Sequence, residues 1–469
     1  MQVMSKPFIA APEQAATPGT DRRRVGSALA GLSLSMLLSS LGISSANVAL
    51  PTLAQAFDAS FQQVQWIVLA YLLAITTLIV GAGRLGDIIG RRRLLLAGLT
   101  LFTLASALSG VAPTLGLLIA ARAAQGAGAA VMMALTMAFV GETVPRDKTG
   151  SAMGLLGTMS AIGTALGPSL GGLLIAGPGW RAIFLLNVLL GIVAFVLAYR
   201  ALPADRAPNT DRIGFDATGM LLLALTLGAY ALAMTIGRGR FGALNVALLL
   251  AAVIGAGLLV RAEARADSPL IALAAFRDGV LSAGLATSAL VSTVMMATLV
   301  VGPFYLSATL GLDAAVVGLV LSAGPLVAAL TGVPAGRIAD RFGAQRMTLA
   351  GLIAIAAGST LLAVLPPTLG IPGYIAPLVV MTSGYALFQT ANNTAVMADI
   401  GPDRRGVISG MLNLSRNLGL ITGAAALGAV FALAGMRITF AVSAGLIVVA
   451  LAIALGGRAG TTRPARDVS

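Results

Sequence analysis

Fourteen stretches of about 20 or more mainly apolar residues, parted by short polar breaks, fill most of the chain. They run roughly over 26–50, 65–84, 94–112, 115–140, 151–176, 181–200, 217–236, 243–261, 280–304, 314–335, 347–366, 374–398, 408–433 and 437–456, here spans 1 to 14. Each is long enough to cross a bilayer as a helix. Strands of a membrane barrel would be about ten residues long and would alternate in polarity; these runs do neither. Composition agrees, because 58% of residues are hydrophobic and only 10% charged, against roughly 25% charged in a soluble domain. An ordinary water-soluble enzyme and a disordered chain are both excluded. The expected fold is an all-α integral membrane protein with 14 transmembrane helices.

The sequence has no cysteine and no histidine. There is no disulfide framework, no thiolate nucleophile and no ordinary neutral-pH base. No metal site and no cofactor are expected, and catalysis is not. Any proton handling falls to the 17 carboxylates. The net charge of +13 raises the question of nucleic acid. The basic residues, however, sit in the breaks between apolar runs, which is how a membrane protein fixes its orientation, so nucleic acid is set aside. With a cytoplasmic N-terminus, the tails and even-numbered connections hold 24 of the 30 Lys and Arg, and the opposite face holds Arg181, Arg238, Arg240 and Arg437. Both termini are therefore expected inside a cytoplasmic (inner) membrane. The first run is too long for a signal-peptide core and no small-residue cleavage site follows it, so a retained span behind a cytoplasmic tail is expected.

The chain also repeats itself. Gly83-Arg84-Leu85-Gly86-Asp87-Ile88-Ile89-Gly90-Arg91-Arg92-Arg93 returns as Gly336-Arg337-Ile338-Ala339-Asp340-Arg341-Phe342-Gly343-Ala344-Gln345-Arg346, at an offset of 253. Gly150, Gly154, Gly163, Gly167 and Gly172 return at an offset of 256 as Gly406, Gly410, Gly419, Gly423 and Gly428. Spans 1–6 thus match spans 9–14 in the same orientation and leave spans 7 and 8 unmatched. The expected organisation is a tail (1–24), a six-helix bundle (25–201), a linker with two extra spans (202–279), a second six-helix bundle (280–456) and a tail (457–469).

Three local patterns carry chemistry. Gly83, Asp87, Gly90, Arg91 and Arg92, with Gly336, Asp340 and Gly343 in the second copy, combine turn glycines with an acid among bases that can form a switchable ion pair. Plain topology would explain the arginines but not the spacing or its return. In span 5, Gly163, Gly167, Gly171 and Gly172 place small residues four apart for close helix packing, and Pro168 removes a helix hydrogen bond. In span 4, Arg122-Ala123-Ala124-Gln125-Gly126 puts a charge inside the membrane, which costs at least ~2.5 kcal/mol and usually marks function; snorkelling to the interface is the alternative. These patterns resemble motifs A, C and B of the major facilitator superfamily. Parallel six-helix halves are that superfamily's architecture. Span 1, ending Gly42-Ile43-Ser44-Ser45-Ala46-Asn47-Val48-Ala49-Leu50-Pro51, resembles the first helix of the fourteen-helix drug:proton antiporters, with Gly42 where that family carries an aspartate.

The resemblance implies that Asp87 and its arginines latch the outward-open state, that span 5 carries an antiporter signature, and that Arg122 takes part in proton movement. It also implies a cavity lined by the first and fourth helices of each half. Polar stripes lie there: Ser40, Ser44 and Asn47; Arg122, Gln125, Met132 and Thr136; Ser288, Ser292 and Met295; Tyr385, Gln389, Asn392 and Asn393. Interhelical hydrogen bonding is the alternative for each one. Arg416, between Asn413 and Asn417, is expected to face Asn392 and Asn393. Without the span 1 acid, Glu142 and Asp399, at matching ends of spans 4 and 12, join Arg122 as proton-coupling candidates, an ion pair with Arg146 being the alternative for Glu142. The function expected is a monomeric secondary exporter of amphipathic organic compounds, coupled to protons. A dedicated exporter or importer of one metabolite, possibly anionic, comes second, and a non-transporting receptor third.

Overall fold

The structure is a computed structural model, and it describes residues 18–143, 149–203, 205, 216–236, 242–266, 278–398 and 405–459. Among these residues every long element is helical. The helices are α1 (Pro18–Ala56), α2 (Phe61–Ile89), α3 (Arg91–Val111), α4 (Leu115–Thr143), α5 (Thr149–Ala176), α6 (Arg181–Ala201), α7 (Ala217–Thr235), α8 (Ala243–Glu263), α9 (Gly279–Phe304), α10 (Ala314–Phe342), α11 (Ala344–Val364), α12 (Gly370–Met397), α13 (Arg405–Thr422) and α14 (Gly428–Ala459). Short π-helical segments follow α9 (Tyr305–Thr309) and α13 (Gly423–Leu427).

Thirteen candidate spans emerge from length and composition among the described residues. The last covers 47 residues, Gly410–Gly456, which at 1.5 Å per residue is about 70 Å, more than twice a hydrocarbon core. Gly435, at φ 73° and ψ −175°, breaks it where the sequence parts spans 13 and 14.

The helix pairings repeat with the sequence. α1 packs on α5 and α6, α2 on α4, and α3 on α4 and α6; likewise α9 packs on α13 and α14, α10 on α12, and α11 on α12 and α14. The repeat reaches single backbone angles. Gly90 has φ 104° and ψ 125°, and Gly343, 253 positions later, has φ 88° and ψ 135°. Both end one helix and start the next in a region where a side chain is strained, which is why both copies carry glycine there.

The halves meet along two seams, α5 with α10 and α2 with α13, and α1 also packs on α9, while α7 leans on α2 and on the π segment after α13. Call the face where α1 begins the near face and the face where it ends the far face. Contacts between halves concentrate at the far face. There Phe61 of α2 meets Phe304 of α9, ring centroids 4.6 Å apart, and Phe431, at 5.2 Å. A Cβ added to Gly172 would strike the Ala314 carbonyl and the Gly318 backbone. On the same side of α5 and α10 but nearer the near face, Gly157 and Gly332 have nothing within 4 Å of such a Cβ. The two helices touch at the far end and diverge from it.

Candidate functional site

Where the halves separate, a cavity of about 250 Å³ opens at mid-depth between them. α1 contributes Ser39, Ser40, Ile43 and Ser44; α5 contributes Ser160 and Thr164; α9 contributes Met295, Met296, Thr298 and Leu299. α12 adds Tyr374, Leu378, Thr382 and Tyr385, and α13 adds Arg416, Asn417 and Leu420. The wall is mainly apolar and holds no carboxylate among its lining residues. Most of its hydroxyls are engaged. Ser44 Oγ donates to the Gly163 carbonyl at 3.0 Å, Ser40 and Ser160 share a 2.6 Å bond, Thr164 donates to the Ser160 carbonyl and Thr298 to that of Met295.

Four of the fourteen residues expected on the cavity wall line it: Ser40, Ser44, Met295 and Tyr385. The span 4 stripe does not. Arg122, Gln125, Met132 and Thr136 are fully buried, turned into the first bundle, with Met132 packed beside Tyr71 and Phe102 in its core. Arg122 Nε donates to the Ile67 carbonyl at 2.9 Å and Nη1 to Gln125 Oε1 at 2.5 Å, while Gln125 Nε2 donates to Ser106 at 2.7 Å. Its guanidinium lies 4.2 Å from the centre of the Tyr71 ring. The arginine is therefore held by a ring face, a carbonyl and an amide, with Nη2 buried and unbonded among the described residues, and snorkels nowhere.

The missing acid of span 1 has a structural counterpart. A Cβ on Gly42 would sit 3.1 Å from the Tyr71 hydroxyl and 3.6 Å from Phe102. Tyr71 fills the space a side chain there would need, donates its hydroxyl to the Ser39 carbonyl at 2.9 Å and carries Arg122 on its other side.

The remaining stripe residues also sit elsewhere. Asn47 is buried, with neither amide atom bonded among the described residues. Ser288 and Ser292 are buried, and Ser292 lies where Gly419 of α13 comes closest. Gln389 and Asn393 are half-buried on α12, off the cavity wall. Asn392 donates to the Gly284 carbonyl at 3.1 Å and lines a separate pocket of about 60 Å³ inside the second bundle. The expected meeting of Arg416 with Asn392 is corrected accordingly: Asn392 is bonded to α9, and Arg416 turns to the central cavity. Ser160 and Thr382 were not singled out from sequence. A signal for Ser160 existed, since it is the repeat partner of Arg416 at the offset of 256.

α5 carries two stripes. Added Cβ atoms on Gly163, Gly167 and Gly171 would strike α1 at the Leu37 carbonyl, Ser44 and Val48. The neighbouring stripe, Pro168 and Gly172, faces α10, where a Cβ on Gly318 would strike the Pro168 carbonyl. The motif thus serves packing within a half and packing between halves on adjacent faces of one helix.

The turn after α2 is tied down within its own half. Asp87 accepts from Arg91 at 2.7 and 2.8 Å. Arg92 donates to the Tyr199 carbonyl at 2.6 Å and stacks on that ring. Asp205 accepts from the backbone N–H groups of Arg92 (2.7 Å) and Arg93 (3.1 Å), capping α3. No motif marked Asp205. In the second copy Asp340 is exposed. Glu142 lies in the last turn of α4, its side chain outside the described residues, and Asp399 lies outside them altogether.

A sequence profile of the Major Facilitator Superfamily matches residues 32–424 and 285–467. The chain belongs to the Major Facilitator Superfamily. Among its relatives, the multidrug resistance protein Stp of Mycobacterium tuberculosis is 33% identical over 82% of this chain and 72% of Stp. The riboflavin transporter RibZ of Clostridioides difficile is 30% identical over 85% of this chain and 86% of RibZ. In fold the chain is similar to a partially occluded inward-open form of the xylose transporter XylE of Escherichia coli, with a TM-score of 0.65 and 13% identity over 92% of this chain and 98% of that one. It is a multi-pass membrane transporter of this superfamily, which moves small molecules and is not a family of enzymes.

Proposed function

We propose that the chain is a proton-coupled exporter of amphipathic organic compounds working by alternating access, as a monomer of fourteen spans with both termini in the cytoplasm. In this reading the near face is cytoplasmic, the division into 25–201, 202–279 and 280–456 holds, and the cavity is caught open to the cytoplasm. The observation that carries it is the double stripe of α5. The antiporter-like glycines pack α5 on α1, and Pro168 with Gly172 packs it on α10 at the closed end. A motif with one face packed inside its half and the other joined to the second half sits where alternating access has to open. The gate residues Gly83, Asp87, Gly90, Arg91, Arg92, Gly336, Asp340 and Gly343 act in the turns between helices, away from substrate. Arg122, Glu142 and Asp399 stay the coupling candidates, Arg122 through its Tyr71 contact rather than through the cavity. Relatives named for multidrug resistance support export; a relative named for riboflavin supports the second reading, a transporter of one metabolite.

The test is substrate-dependent efflux in a host stripped of its own pumps. Expression should raise tolerance to amphipathic toxicants, and an uncoupler should abolish the gain. Tolerance unaffected by the uncoupler would remove proton coupling. Uptake rather than efflux would remove the exporter.

A further inference from the structure

Arg416 bears the only formal charge among the described residues lining the central cavity. It is half-buried, and its Nε is cut off from solvent with no hydrogen-bond partner among the described residues. The neighbouring hydroxyls are mostly committed, those of Ser44, Thr164 and Thr298 to helix carbonyls and those of Ser40 and Ser160 to each other. Thr382 Oγ1 is the other buried wall atom left unbonded. Both unspent groups belong to the second half, on α13 and α12. The first half lines the cavity with apolar Ile43, Leu72, Ile75 and Met133 and with serine and threonine hydroxyls that are already bonded, and adds no charge among the described residues.

An ionised group inside a membrane protein is costly, and the cost is met by a partner or by a ligand. Arg122 shows the first solution, with its ring, carbonyl and amide, although its Nη2 is also buried and unbonded among the described residues. Arg416 lines an empty space, and no hydrogen bond or ion pair holds its guanidinium among the described residues. A guanidinium presents a planar fork of donors that matches a carboxylate. We propose that Arg416 receives the anionic group of the substrate, with Thr382 as an accessory donor, so that the cavity selects amphipathic organic carboxylates over cations. This rests on the cavity being the substrate site. Arg122, sealed in its bundle, is not available for this role.

Binding of three size-matched probes to the purified protein in lipid nanodiscs tests the assignment: 2-naphthoate, 2-naphthamide and 2-naphthylmethylammonium. The wild type should bind the carboxylate about tenfold or more tightly than the amide, with the ammonium weakest, as a charge-assisted pair requires. Arg416→Gln should erase that preference and leave amide binding within about twofold, which also reports folding. Arg416→Lys should keep part of the preference and serves if the glutamine variant does not fold. A wild type that binds the ammonium as well as the carboxylate, that binds none of the three, or a folded Arg416→Gln that keeps the preference, overturns the proposal. Transport is scored separately. If 2-naphthoate binds through Arg416 but no probe enters energised inside-out vesicles, the exporter reading falls and the site assignment stands.

Discussion

The two seams between the halves are built at equivalent positions and are not alike. At the first, the Pro168 carbonyl of α5 faces Gly318 of α10. Shifting Pro168 by 256 gives Ala424, and Gln65 shifted by 253 gives Gly318. At the second seam those two residues meet: Gln65 Nε2 donates to the Ala424 carbonyl at 2.9 Å. One repeat position is therefore filled by bare backbone on one side and by a side chain on the other. The first seam is a close approach that tolerates no added atom. The second is spanned by an amide, and α7 lies over it. Leu223 and Leu227 of α7 share a buried cluster with Ile421 and Ala424. The first seam is a close backbone contact with no room for adjustment, whereas the second is a joint filled by side chains.

The largest effect should come from Gly318→Val. Overpacking a close contact costs about 1–3 kcal/mol, or roughly fivefold to somewhat over a hundredfold in an equilibrium. The valine lies against the Pro168 carbonyl in the far-closed state, so it should shift the molecule toward far-open forms. The chain has no native cysteine, so spin labels on Gln55→Cys and Thr309→Cys, at far-face ends of α1 and of the segment after α9, can read the opening. Transport should fall with protein still inserted. An unchanged label distance with normal transport would show that opening does not depend on the first seam.

Gln65→Leu, the matching change at the second seam, should be milder. It removes one interhelical hydrogen bond, worth ~0.6 kcal/mol on average in a membrane protein. It also removes the unpaired Gln65 Oε1, which offsets part of that cost. Less than about threefold is expected in the same label measurement. A loss as large as that of Gly318→Val would make the seams equivalent in function despite their different construction.

Much of this was legible in the sequence, and the reason is physical. A membrane span must satisfy its backbone internally, so length and apolarity suffice to find α1 to α12. A break such as Gly90 needs positive φ, so the repeat shows up as recurring glycines. Helix rotation was less legible. In a soluble helix the polar face turns to water, but in lipid a polar stripe turns either to a cavity or into the bundle, with the same periodicity. Ser40 and Ser44 went one way and Arg122 and Gln125 the other, and nothing in the spacing of span 4 distinguishes the two. What decides is bulk on a neighbouring helix: Tyr71 of α2 sits beside Gly42 and under Arg122. Asp205 escaped notice for a different cause. A cap is a single residue that finds a helix start distant in sequence, and it leaves no local pattern.

The smallest effect should come from cutting the tie between α7 and the second seam. Trp66 Nε1 donates to Thr235 Oγ1 at 3.0 Å, one position along from Gln65, and the Thr235 hydroxyl in turn donates to the Ala231 carbonyl at 2.8 Å. Trp66→Phe removes that bond and keeps most of the ring. Thr235→Val removes it from the other side. Each should change far-face opening by less than about threefold, from the same ~0.6 kcal/mol average. Because both delete one contact, the double variant should match either single variant rather than their sum, and the shortfall from additivity measures the tie. The remaining hold of α7 on α2 and the second half, through Leu223, Leu227 and a side-chain hydrogen bond between Tyr230 and Thr422, survives both changes. The outcome sharpens the comparison in either direction. A small, non-additive effect makes α7 a cover over a filled joint. An effect approaching that of Gly318→Val would make the extra helix pair part of the gate, and the second seam would then need α7 for the hold that the first obtains from Pro168 and Gly318 alone.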